Sequence, residues 1–110
     1  MNTRQTRQVA LLGSIKHWIE NANAVSESDI STDPGKCDCC KIWNTENGGD
    51  CEGCPIYDFT GEQYCRGTPY MDASIMAEHA HDTPSTMAQF HAAARKEVKF
   101  LMKVLMKELK

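Results

Sequence analysis

The chain has 110 residues, 41% hydrophobic and 25% charged, which is enough for one domain with one modest core and excludes two full domains. Six cysteines in so short a chain point to a covalent or metallic supplement to that core. The net charge of −3 divides into +2 over residues 1–25, −9 over residues 26–90 and +4 over residues 91–110, so nucleic acid is excluded as a partner of the whole surface and only a local basic stripe remains for it.

Along the chain, Val9, Leu12, Ile15, Ile19 and Ala22 recur at helical spacing with Leu11 and Trp18 on one flank, predicting an amphipathic helix from about Thr3 to Asn23. Gly13 is its weak interior position. Residues 26–35 are dense in turn formers and read as a surface linker with at most one helical turn. From Cys37 to Gly67 neither helical nor strand periodicity persists, and Asn47-Gly48-Gly49-Asp50 reads as a tight turn between two short extended pieces. Thr68-Pro69 and Thr83-Pro84 repeat one start signal, a capping threonine followed by proline at the first helical position, and predict helices over 69–80 and 84–109. At about 100° per residue, Met87, Phe90, His91, Ala94, Val98, Leu101, Met102, Leu105 and Leu109 share one face of the last helix, the expected core contact. Lys96, Lys99, Lys103, Lys107 and Lys110 form a stripe opposite, and Phe100 and Val104 widen the apolar arc between them. That surplus is covered either by the N-terminal helix or by another chain, a second copy included.

The cysteines carry the strongest signal. Cys37-Asp-Cys-Cys40 and Cys51-Glu-Gly-Cys54 are two C-x-x-C pairs ten residues apart, with Cys65 eleven residues further on and Cys39 inside the first pair. Each C-x-x-C turn sets two thiolates at adjacent corners of a zinc tetrahedron, and two turns close a four-cysteine structural site with no position open for catalysis. The expected ligands are Cys37, Cys40, Cys51 and Cys54, with Cys65 as the alternative fourth and Cys39 as a non-ligating thiol. Disulfides, an iron–sulfur cluster and plain buried thiols are the competing readings.

The order Ser14-Ile15-Lys16-His17-Trp18, Cys37-x-x-Cys40, Cys51-x-x-Cys54-Pro55-Ile56, Thr60-Gly61, Cys65-x-x-Thr68-Pro69-Tyr70 and a terminal helix rich in Phe, Leu and Lys resembles a group of uncharacterised small cysteine-rich proteins of bacteriophage and related genomes. The resemblance implies an intracellular, zinc-binding accessory protein that acts on host machinery; it brings no activity with it. Cys39 is additional to that pattern.

Elsewhere, His79-Ala-His81-Asp82 is no more than a fragment of a metal or hydrolase site. His17 and Asn21 fall on the expected solvent side of the first helix, while His91 is expected as a hydrogen-bonded core histidine. Trp18, Trp43, Tyr57, Tyr64 and Tyr70 read as core mass ahead of a base-stacking surface. No G-x-S-x-G, phosphate-cradling glycine loop or carboxylate pair marks catalysis.

No run reaches the roughly 18 apolar residues of a membrane span, and Arg4 and Arg7 precede too short an apolar patch for a signal peptide, so a cytoplasmic location without membrane contact is expected. The fold expected is one mainly α domain: an N-terminal helix (1–25), an inserted zinc knuckle (36–67) with little β structure, and two C-terminal helices (68–110), the two long helices packing antiparallel. The function expected is that of a non-enzymatic, zinc-stabilised interaction protein binding or inhibiting a host protein through its acidic knuckle or through Lys96, Lys99, Phe100, Lys103, Val104 and Lys107. The alternatives are a small nucleic-acid-binding zinc module using the last helix and a thiol redox protein on Cys37 and Cys40.

Overall fold

The computed structural model describes residues 3–32, 38–46, 51, 53–62 and 65–110. Helix α1 spans Thr3–Ala22, α2 Asp38–Cys40, α3 Pro55–Thr60, α4 Pro69–Glu78 and α5 Pro84–Glu108. A 3₁₀ turn at Glu27–Asp29 interrupts the first linker, and α2 runs on as a π-helical stretch over Lys41–Glu46. The chain is mainly helical, with no strand among the described residues.

The two long helices lie side by side and antiparallel. At one end Arg4 at the start of α1 donates to the carbonyls of Glu108 and Lys110, placing a cation where the C-terminal carbonyls of α5 lack helical partners. At the other end His91 Nε2 donates to the Ala24 carbonyl at 2.7 Å, the partner expected of a core histidine. Helix α4 packs on α5, with Tyr70 against Trp18 of α1, and α3 touches α5 near its C-terminus.

The threonine-proline signals act as predicted. Thr68 Oγ1 accepts from the Tyr70 amide and Thr83 Oγ1 from the Thr86 amide, both at 3.2 Å, each satisfying an amide that the first turn leaves unpaired, for about 1 kcal/mol apiece. Proline occupies the first position of both helices.

Both long helices are turned from their expected orientation. In α1 the buried stripe is Ala10, Leu11, Ser14, Ile15, Trp18 and Asn21, while Val9, Leu12 and Ile19 are 45–54% exposed. In α5 the buried residues are Met87, Phe90, Ala93, Ala94, Glu97, Leu101 and Val104. Met102, Met106 and Leu109 are exposed, so the core arc lies about 60° from the expected one, towards Phe100 and Val104. The reason is that polar residues share the buried side. Asn21, 2% exposed, grips Ser31: its Nδ2 donates to the Ser31 carbonyl at 2.8 Å and its Oδ1 accepts from the Ser31 amide at 3.0 Å. His17 Nε2 donates to the same carbonyl at 2.8 Å. The linker therefore covers a face expected to meet solvent.

Trp18 sits in the main core with its ring edge-on to Tyr70 at 5.8 Å. Trp43 is also buried, so both tryptophans are core mass. No helix among the described residues is long and apolar enough to cross a membrane.

Candidate metal centre

The cysteine-rich insert is seated on α1 by two adjacent residues. A Cβ on Gly13 would lie 1.8 Å from Asp38 Oδ2, so the weak interior position of α1 is the point at which Asp38 closes on the helix. Next to it Ser14, fully buried, accepts the Cys39 amide on its Oγ at 3.1 Å. Without that acceptor a buried N–H would be stranded, at a cost of about 1–3 kcal/mol. Cys39 is thereby fixed against α1 at 1% exposure.

The second C-x-x-C turn is closed by its own backbone. The Cys51 amide donates to the Trp43 carbonyl at 2.9 Å and the Cys54 amide to the Cys51 carbonyl at 3.0 Å. Cys51 and Gly53 are both left-handed, with φ of 60° and 90°. Only glycine takes that conformation freely, and a Cβ on Gly53 would also press on Trp43 Nε1 at 3.1 Å. Cys54 then caps α3, with Pro55 following at the first position. Its thiol stands at the positive end of that helical turn. Cys65, left-handed at φ 59°, precedes the Thr68 cap, and its carbonyl accepts from Thr68 Oγ1 at 2.6 Å.

These pieces bring Cys39, Cys51, Cys54 and Cys65 to one small cavity, closed by Ile56, Tyr57 and Glu62. Its volume is about 10 Å³, roughly the room of one water molecule or one ion. A hydrogen bond with the Cys39 thiol lowers the Cys54 thiol to about 7 against the raising effect of burial, helped by the Tyr57 and Ile56 amides and by Arg7. Soft sulfur donors lined by amides that favour the thiolate are the chemistry that zinc or an iron–sulfur cluster uses.

Of the expected ligands, Cys51, Cys54 and the alternative Cys65 meet at the cavity, and Cys39 joins them. Cys37, the turn at 47–50 and the side chain of Cys40 lie outside the described residues. Among the described residues no disulfide joins the four thiols, and no three donors are close enough together to hold a metal ion. The two extended pieces expected across 37–67 are replaced by helical segments. Trp43 and Cys39 are packed inward against the core, and left-handed Gly61, whose amide donates to the Tyr57 carbonyl at 2.7 Å, ends α3 after six residues.

The insert is also pinned by Arg7, a residue that no motif or periodicity singles out. Arg7 donates to Glu108 through Nε and Nη2, and through Nη1 to the Gly53 carbonyl at 2.9 Å and to Asp58 Oδ2 at 2.8 Å. Glu108 first, then Asp58, holds the guanidinium above its ordinary pKa. One side chain thus joins α1, α3, α5 and the second knuckle.

Of the expected partner-binding residues, Lys96, Lys99, Lys103 and Lys107 are exposed. Val104 is not available: it is 1% exposed in the core, because α3 covers that flank. Phe100 is half-covered, edge-on to Phe59 at 5.7 Å, and Lys107 lies 5.5 Å above the Phe59 ring. His79 and His81 are exposed, and Asp82 Oδ1 accepts the Glu27 amide, tying down the 3₁₀ turn.

Neither a protein family, a curated protein nor a solved structure matches the chain.

Proposed function

We propose that the chain is a non-enzymatic, zinc-stabilised module that works by binding another protein, in the manner of a phage-type accessory factor acting on a host protein. The observation that carries this reading is the gathering of Cys39, Cys51, Cys54 and Cys65 around one small cavity by three separate segments. The zinc is held by cysteines of this cluster together with the first C-x-x-C pair, Cys37 and Cys40. With thiolates as its only ligands the ion has no open position, so its contribution is to folding. It adds to an insert that is already held by hydrogen bonds, by Arg7 and by the burial of Cys39, Trp43 and Ile56.

A thiol redox protein is the second reading, favoured by the lowered Cys54 thiol beside Cys39. The burial of both speaks against it: they are 5% and 1% exposed, whereas a reactive thiol has to meet its substrate.

The deciding experiment is metal analysis by mass spectrometry of protein purified without added metal, with thiols counted before and after chelation. The zinc reading expects about one zinc per chain and about four thiols released only by the chelator. An absence of metal, with a native-state thiol that alkylates at once, would transfer the assignment to redox chemistry.

A further inference from the structure

Several of the apolar residues that the turned helices leave outside flank the groove between α1 and α5. On α1 these are Leu12 and Ile19, 54% and 45% exposed; on α5 they are Met102 and Met106, 52% and 61% exposed. A groove of about 330 Å³ lies between the two helices, lined by Ile19, Ala22, Asn23 and Val98 with Arg95 and Lys99 beside them. Seven residues before Ile19 Leu12 lies on the same face of α1, Met102 and Met106 follow Val98 at intervals of four on α5, and Ile19 and Val98 meet at the groove.

Its charge selects the occupant. Both glutamates of α5 are drawn inward, Glu97 at 2% exposure and Glu108 against Arg7. The solvent side of α5 consequently presents Arg95, Lys96, Lys99 and Lys103, all exposed. Among the described residues none of these four has a carboxylate partner. A second copy would bring like charges together across the seam. A nucleic acid would satisfy the lysines but set Leu12, Met102 and Met106 against phosphate. An amphipathic helix meets both demands, with apolar residues one turn apart in the groove and carboxylates along its flank. Flexible methionines suit a surface that has to shape itself to such a ridge.

We infer that the α1/α5 edge is the docking surface of this module and that its partner presents an acidic amphipathic helix. The inference rests on the protein-binding reading above, and it moves the contact from Phe100 and Val104 to the opposite edge of α5.

The test uses the full chain and a fluorescein-labelled synthetic helical peptide with leucine at i, i+3, i+4 and i+7 and glutamate on its flanks, read by anisotropy. A matched peptide with lysine flanks and a duplex DNA serve as the other probes. The glutamate peptide binds, and the lysine peptide binds at least about tenfold more weakly. Leu12→Glu with Met102→Glu, and separately Arg95→Glu with Lys99→Glu, each reduce binding by about tenfold or more, with circular dichroism and thermal unfolding unchanged because all four residues are exposed. No binding of the glutamate peptide overturns the inference. So does duplex binding that is tighter and indifferent to Met102, or a wild-type dimer that Met102→Glu dissociates. A chain that carries its zinc and ignores the peptide refutes this surface alone, while a metal-free chain that binds the peptide refutes the zinc reading and leaves the surface standing.

Discussion

On the inner side of the α1/α5 pair, Leu11, Trp18, Phe90 and Leu101 are at most 1% exposed, while on the outer edge of the same two helices Leu12, Met102 and Met106 are 52–61% exposed. The residue types are alike, so hydrophobicity does not decide which side is inside. The polar anchors do. Ser14 binds the Cys39 backbone and Asn21 binds Ser31, and each turns its helix face inward because a buried hydrogen bond is costly to abandon. The outer edge, with no such anchors, remains for a partner.

Substitution sharpens this contrast most at its extremes. Trp18→Ala or Phe90→Ala removes a fully buried ring from the main cluster and lowers stability by about 3–5 kcal/mol, measured by urea unfolding. Met102→Ala on the same scale changes stability by no more than about 0.5 kcal/mol. Equal losses would show that the outer edge is packed as well.

The anchors come next in size. Arg7→Ala strands the half-buried Glu108 and releases Gly53 and Asp58, for about 2 kcal/mol. Asp58→Asn, on the more exposed arm of the same cluster, costs about 0.5 kcal/mol or less. Ser14→Ala costs about 1–3 kcal/mol, and a value near zero would mean that the insert is not seated on α1.

A pH effect separates the two regions more finely. The Cys54 thiol stands at about 7 in the fold against an ordinary 9. Its thiolate therefore contributes stability that is complete above pH 9 and is lost as pH falls through 7. Reduced, metal-free protein should gain about 1–2 kcal/mol between pH 7 and 9. Cys54→Ser should abolish that rise, and a rise that survives it would place the titration elsewhere.

The contrast also explains what the sequence could and could not reveal. Helix starts at Pro69 and Pro84 were legible because a capping threonine and a following proline act locally. Face orientation was not, because counting apolar residues passes over Ser14, Asn21 and Glu97, which are buried. Ser14 and Asn21 do share a helical face with Leu11 and Trp18, so the signal was present in the spacing of polar residues with the flank that became the core. The nearness of Cys51, Cys54 and Cys65 was legible from their spacing. The inward placement of Cys39 was not, since it depends on Gly13 and Ser14 in a segment 25 residues away.

The proposed metal would fasten the insert, whose Cys39, Trp43 and Ile56 share the core of α1 and α5, onto those helices. Amide hydrogen exchange before and after chelation tests that fastening most directly. Amides of the described insert, those of Cys39, Cys51 and Cys54 foremost, are expected to lose protection on chelation and regain it with zinc, while the centres of α1 and α5 keep most of theirs. Unchanged protection at those three cysteines would contradict it.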